Sequence, residues 1–325
     1  MTALKRAFLV MTCFIFCLSG ISITSEGADV DVYSKQYNKI GGISGNLNSM
    51  GSDTMNNIMT FWAEGFNRLY PSVRVQIEGK GSSTAPPALI SGTVQIGPMS
   101  RAMKSDEIDK FESKYGYKPT QIRTAIDGLV IYVNKDNPIE GLNFAQVDAI
   151  FSKTRKGRYK EDITTWGQLG LAGDLAKRPI SIYGRNSASG TYGYFKEMAL
   201  FKGDYKSTVK EQPGSASVVQ GVTGDRFGIG YSGIGYKTSG VRTLPLAKKG
   251  NLYKAAEMEN VLNGSYPLSR FLYVYVNKKP GQPLDPLVLE FLKYILSKEG
   301  QEVVVKDGYI PLPASILQEE LRKID

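Results

Sequence analysis

Histidine is absent from all 325 residues. That absence excludes a Ser-His-Asp or Cys-His catalytic arrangement. It also removes the commonest zinc ligand and the usual general base near neutral pH. Cysteine is almost absent: Cys13 and Cys17 both fall in the N-terminal leader. A mature chain lacking that leader would have no disulfide, thiol nucleophile or cysteine-metal site. No long Lys/Arg block occurs, and the net charge of +9 is spread along the chain. Such a charge suits anionic partners but is weak evidence for nucleic acid. What remains, 42% hydrophobic and 22% charged residues, is the composition of an ordinary soluble globular protein long enough for two lobes with real cores.

The leader reads as an export signal. Lys5 and Arg6 precede an apolar core from Ala7 to about Ile23, and small and polar residues follow as far as Ala28. Thr12, Ser19 and Gly20 break the apolar run, which argues against a membrane anchor. Neither cysteine follows the small residue that a lipoprotein signal needs. Residues 1–28 are therefore expected to be a signal peptide, cleaved near Ala28, that delivers the chain to the periplasm or beyond.

Helical and strand periodicities alternate along the remainder, which predicts an α/β protein. Met55, Ile58, Met59, Trp62, Phe66 and Leu69 form one helix face after Gly51-Ser52-Asp53-Thr54, with Asp53 or Thr54 as the natural N-cap and Pro71 as the stop. Val73–Glu78 alternates as a strand and runs into Gly81-Ser82-Ser83-Thr84, where a second helix opens with Pro86 and Pro87 in its first turn. Residues 92–100 read as a short strand, Ser105–Tyr115 and Phe144–Phe151 as helices, and residues 284–301 as one helix before an extended close at Gly308–Pro313. The glycines around Lys80 do not have the spacing of a Walker A loop. Gly228-Ile229-Gly230-Tyr231-Ser232-Gly233 matches a dinucleotide fingerprint as a string but lacks its βαβ surroundings, so a strand and tight turn is the better account.

Two segments echo each other. Asp127 leads the apolar run Gly128–Val133 into Asn134-Lys135, and Arg270 leads Phe271–Val276 into Asn277-Lys278. Two related strands on either side of an inserted region would give a chain that leaves one lobe, builds a second and returns.

Gly184-Arg185-Asn186-Ser187-Ala188-Ser189-Gly190-Thr191 precedes the helical run Tyr194–Phe201. It places a guanidinium, hydroxyls and free backbone N–H groups at a helix start, where the dipole adds partial positive charge. An ordinary capped helix explains this stretch equally well on its own. Similar hydroxyl-rich turns at Thr54 and at Ser82-Ser83-Thr84 favour a converging oxyanion site.

Gly51-Ser52-Asp53-Thr54-Met55, Gly81-Ser82-Ser83-Thr84, Gly97-Pro98-Met99-Ser100-Arg101, Arg185 through Thr191, Pro213-Gly214-Ser215-Ala216-Ser217-Val218 and Gly228-Ile229-Gly230-Tyr231 together resemble the periplasmic phosphate-binding proteins of high-affinity phosphate ABC transporters, in their pseudomonad-like branch. The resemblance covers essentially the whole mature chain, and Arg-x-x-x-Ser-Gly-Thr is its most specific motif. It implies a two-lobed type II binding protein, each lobe a mixed sheet flanked by helices, joined by two crossing strands. Residues 29–124 and 271–325 would form lobe 1 and residues 125–270 lobe 2. It implies further that the protein is no enzyme, needs no cofactor or metal, does not bind nucleic acid, acts as a monomer and serves a membrane permease and ATPase.

The family's phosphate ligands fall on Thr54, Met55, Ser82, Arg185, Ser189, Gly190 and Thr191. Some members carry a cleft aspartate where this chain has Ser100, and a serine discriminates poorly because it can donate as well as accept. Rejecting sulfate asks for an acceptor-only group. Asp127 is the candidate, with Asp53 as the alternative. The rival readings are a binder of sulfate or molybdate, a phosphatase, and an adhesin or scavenger outside the cell.

Overall fold

The computed structural model describes residues 29–325, so the expected export signal lies outside the described residues. Strand Thr120–Asn134 organises the fold. From Thr124 onward every residue of it is buried, as its unbroken apolar run requires of a strand covered on both faces. Its partners change midway. Up to Gly128 it pairs antiparallel with the return strand Ser269–Val276; from Leu129 it pairs with Gly228–Gly233 and Val241–Leu244. The resulting seven-stranded sheet runs from Gly97–Met99 at one edge to Ser181–Arg185 and Lys210–Gln212 at the other. One strand thus belongs to two lobes.

In the first lobe, Gly45–Met50 and Val73–Glu78 pair in parallel, and a bridge from Ser49 to Ile96 joins them to the larger sheet. The helix Asn56–Leu69 closes this lobe against the chain's other end. Trp62 Nε1 donates to Gly300 O at 2.8 Å, and the Phe66 ring meets Phe291 edge-on. In the second lobe, the Phe195 and Tyr231 rings stack with centroids 3.9 Å apart, with Phe151 edge-on to both. Phe195 is fully buried, so its truncation to alanine is of the class that costs about 3–5 kcal/mol.

Several expectations need correction. Residues 284–301 form two helices, Pro286–Ile295 and Lys298–Lys306, because the Ser297 side chain accepts from Gly300 N–H and starts a new cap. A further helix, Ala314–Ile324, follows the extended segment. The strand expected over residues 92–100 shrinks to Gly97–Met99. Neither Asp53 nor Thr54 caps a helix: a 3-10 turn over Asp53–Met55 leads into Asn56–Leu69 with no side-chain cap, and the carboxylate of Asp53 goes elsewhere. Apart from these corrections, the expected lobe boundaries at 124/125 and 270/271 lie within the two crossing strands, Thr120–Asn134 and Ser269–Val276.

Candidate anion-binding cleft

The hydroxyl-rich turns meet where the lobes face each other. Thr54 Oγ1 lies 2.8 Å from Thr191 Oγ1. Ser82 Oγ lies 3.2 Å from Ser100 Oγ and accepts Ser100 N–H at 3.0 Å. Gly190 sits against both serines so closely that a Cβ there would overlap Ser82 Oγ and stand 2.8 Å from Ser100 Oγ. Gly81, at φ +109°, likewise packs on the Ala188 carbonyl, which also accepts from Ser83 Oγ at 2.9 Å. Thr54, Ser82, Ser100 and Thr191 are all buried.

Ser189 serves its own helix. Its hydroxyl accepts from Thr191 N–H at 3.1 Å and Tyr192 N–H at 3.4 Å, so the ordinary account of it as an N-cap holds. Met55 is buried and its N–H bonds Ser52 O at 3.2 Å, within the 3-10 turn. Thr54, Ser82, Ser100, Gly190 and Thr191 are therefore brought together, while the Ser189 hydroxyl and the Met55 N–H are partly occupied locally.

Arg185 extends from the end of strand Ser181–Arg185 and is 1% exposed. Its NH1 donates to Ser215 Oγ at 2.7 Å and its NH2 to Pro213 O at 3.1 Å; NH2 also lies 3.1 Å from Asp53 Oδ2. That same carboxylate oxygen accepts Ser215 N–H at 2.7 Å, the first N–H of helix Ser215–Gly224, where the dipole favours an anion. Burial pushes the Arg185 guanidinium below its ordinary range, while Asp53 pulls it back and Arg270 lowers it further. Its Nε is buried with no partner among the described residues.

Asp127 is not free. Its Oδ2 accepts from Arg270 Nε at 2.9 Å and NH2 at 2.7 Å, and its Oδ1 accepts Ile234 N–H at 3.2 Å. The two residues face each other directly in the antiparallel register. Arg270 NH2 also donates to Thr191 Oγ1 at 2.9 Å, which links the pair to the turn hydroxyls. Its NH1 is buried and unpartnered among the described residues.

Arg270 was missed by the motif reading, and a signal for it exists: Asp127 and Arg270 each stand seven residues before the Asn-Lys of the echoing segments. Ser215 and Tyr236 were missed as well. Tyr236 Oη donates to Asp53 O at 2.9 Å across the cleft. Arg101 turns away to grip Glu107 with two bonds of 2.6–2.7 Å. Among the described residues, no group of three or more Asp or Glu is placed to hold a metal ion.

Two mixed α/β lobes sharing crossing strands, with buried donors converging between them, define a two-lobed solute-binding protein. A family model for the PBP superfamily domain matches residues 39–299. The chain is 58% identical over 322 residues, 99% of both chains, to the phosphate-binding protein PstS of Pseudomonas aeruginosa. Among solved structures, one described as a phosphate ABC transporter substrate-binding protein with bound phosphate, from Clostridium perfringens, aligns with a TM-score of 0.71 at 28% identity, over 82% of this chain and 100% of that one. An ABC-type phosphate transport receptor from Vibrio cholerae aligns over 82% of this chain and 100% of its own at a TM-score of 0.63 and 24% identity, and so speaks to the fold. The chain belongs to the PBP superfamily and, within it, to the PstS phosphate-binding proteins.

Proposed function

We propose that this protein binds inorganic phosphate between its lobes, closes around it and delivers it to the permease and ATPase of an ABC transporter, acting in the periplasm as a monomer. Its relatives are binding components of transport systems, and the absence of histidine leaves no ordinary general base for a hydrolase.

The observation that carries this reading is the pair of buried guanidiniums, Arg185 and Arg270, each beside an aspartate and each with a buried N–H donor unpartnered among the described residues. Because Asp53 and Asp127 already balance the two positive charges, directed hydrogen bonds hold the anion more than net charge does. Arg185 Nε, Arg270 NH1, the hydroxyls of Thr54, Ser82, Ser189 and Thr191, and the N–H groups of Met55 and Gly190 are the proposed donors, aided by the dipole of helix Gly190–Met198. Ser100 completes the ring, as donor or acceptor.

Phosphate is told from sulfate by an acceptor for its proton. Asp127 Oδ1, with a single bond of 3.2 Å, keeps lone pairs for it and lies beside Gly233, as the Thr54 methyl group does. Asp53 is the alternative acceptor. In this reading residues 29–124 and 271–325 form lobe 1 and residues 125–270 lobe 2, with bending at the crossing strands.

Calorimetric titration of the purified mature chain tests the proposal. Tight binding of phosphate with little binding of sulfate or molybdate is expected. Preference for either rival anion, or hydrolysis of phosphomonoesters by protein supplied with divalent metal, overturns it.

A further inference from the structure

The second lobe carries a basic surface that phosphate binding does not use. Segments 153–160 and 196–210 contain nine Lys/Arg residues, and residues 153–162 and 196–210 together hold only four Asp/Glu. The four carboxylates are spent on Lys160, Lys196, Lys202 and Lys206, which reach Glu161, Asp204, Glu197 and Asp162. Lys153, Arg155, Lys156 and Arg158 have no carboxylate within ion-pair distance among the described residues.

The two segments form one fixed surface. Lys153 N–H bonds Asp204 O at 2.9 Å, Asp204 N–H bonds Thr154 Oγ1 at 3.0 Å, and Lys206 N–H bonds Phe151 O at 2.9 Å. Lys156 Nζ donates to Lys202 O at 3.2 Å, which holds one loop tip to the other. Arg155, Arg158, Phe201 and Lys202 all have left-handed backbone, at φ 45°, 62°, 51° and 60°, and among the described residues they are the non-glycine residues that do. Strained backbone of this kind persists where the surroundings hold it.

This surface also exposes apolar side chains. Phe201 is 41% exposed and Met198 39%, and both stand at the end of helix Gly190–Met198, about 13 Å along the helix from the anion cleft at its start. Lys153, Arg155 and Lys206 also rim a cavity of about 670 Å³, with Ile163, Ile180 and Ile182 in its wall. Unpaired cations around protruding aromatic and thioether groups match the two-signal pattern of interfacial binding, in which charge attracts and a partly buried side chain anchors.

We propose that loops 153–160 and 198–206 form a docking surface for an anionic phospholipid bilayer. The cations would meet the phosphodiester headgroups, and Phe201 and Met198 would enter the interfacial region. The binding protein would then search for its membrane partner along a surface rather than through bulk solution. This is independent of what the cleft binds.

The test is cosedimentation of the mature protein with vesicles of phosphatidylcholine alone, or of phosphatidylcholine with about one third phosphatidylglycerol, at low salt and at about 0.15 M salt, where the Debye length is about 8 Å. The variants are Lys153→Glu/Lys156→Glu and Phe201→Asn, asparagine being tolerant of left-handed backbone. Binding to the anionic vesicles alone, weakening with salt, is expected. It should fall by at least about tenfold in the charge-reversed variant and by severalfold in Phe201→Asn. Phosphate titration of the same variants should match the parent, which checks that they fold. Equal binding to both vesicle types, or undiminished binding by the charge-reversed protein, overturns the proposal. Loss of phosphate uptake in cells carrying that variant, without vesicle binding by the parent, would assign the patch to an acidic protein partner and also overturn it.

Discussion

Thr54 Oγ1 and Thr191 Oγ1 meet at 2.8 Å across the cleft, so the closed arrangement of the lobes is held by groups that are also proposed phosphate ligands. Gly190 stands next to that contact, pressed on the serines of the opposite lobe. Its φ is not left-handed, and it occupies the first turn of its helix. Alanine is therefore acceptable to the helix, whose interior it favours over glycine by about 1 kcal/mol. Its methyl group, however, would overlap Ser82 Oγ. Gly190→Ala should leave the melting temperature of the ligand-free protein unchanged or slightly raised while weakening phosphate by at least about tenfold, or about 1.4 kcal/mol. Calorimetry alongside thermal unfolding checks both halves. Undiminished affinity would mean that the lobes need not approach at this point.

Arg185 is a buried cation held by Ser215, Pro213 and Asp53. Arg185→Ala removes a proposed donor to the ligand and leaves the Asp53 carboxylate with Ser215 N–H as its remaining partner among the described residues. Truncating one partner of a buried charge pair costs about 2–5 kcal/mol, so affinity should fall by about thirtyfold to several thousandfold. Arg185→Lys should recover only part, because a point charge cannot serve Ser215 Oγ and Pro213 O together as the planar fork does. A loss below about tenfold for the alanine variant would place Arg185 outside the site.

Asp127 and Arg270 should behave as a unit in stability. Breaking a buried pair by removing one partner costs about 3–5 kcal/mol, whereas replacing both by neutral groups costs much less than the sum. Asp127→Asn and Arg270→Met are each expected to destabilise strongly in urea, and the double variant is expected to fall well short of additivity. Additive losses would show that the contact contributes little. Asp127→Asn, once shown to be folded, should also narrow the preference for phosphate over sulfate. An unchanged ratio would shift that role to Asp53.

The glycine and hydroxyl turns were legible because their chemistry is local: backbone that must approach another chain segment, and donors at a helix start. Helices Ser105–Tyr115 and Phe144–Phe151 were legible to the residue, since their apolar spacing and flanking breakers coincide. Arg270 was not, because its partner lies 143 positions away and only the strand register brings them together. Asp53 was misread for the same reason. Locally it is a good cap, but a better offer comes from Arg185 and the first N–H of helix Ser215–Gly224. The break at Ser297 was hidden within a helical pattern that is continuous on either side of it.

Asp307 gives the fold an unusual pH dependence. It ends the helix Lys298–Lys306, is 7% exposed, and has a carboxylate oxygen, Oδ2, buried without a partner among the described residues. Burial raises its pKa from 3.8 to about 7. Between those values the folded protein keeps a proton that the unfolded chain has released, so folding takes up a proton and rising pH opposes it. The contribution of Asp307 to stability is therefore complete below about pH 4, declines by up to about 1.4 kcal/mol per unit toward pH 7, and is flat above. Paired carboxylates such as Asp204 and Glu319, held below their ordinary range by Lys196 and Arg123, impose the opposite slope in acid. The informative quantity is thus a difference. Asp307→Asn should unfold in urea at nearly the same midpoint as the parent near pH 4 and at a higher midpoint near pH 8. The gap between the two proteins should open steadily between those pH values. A gap that stays constant with pH would mean that Asp307 titrates alike in the folded and unfolded chains.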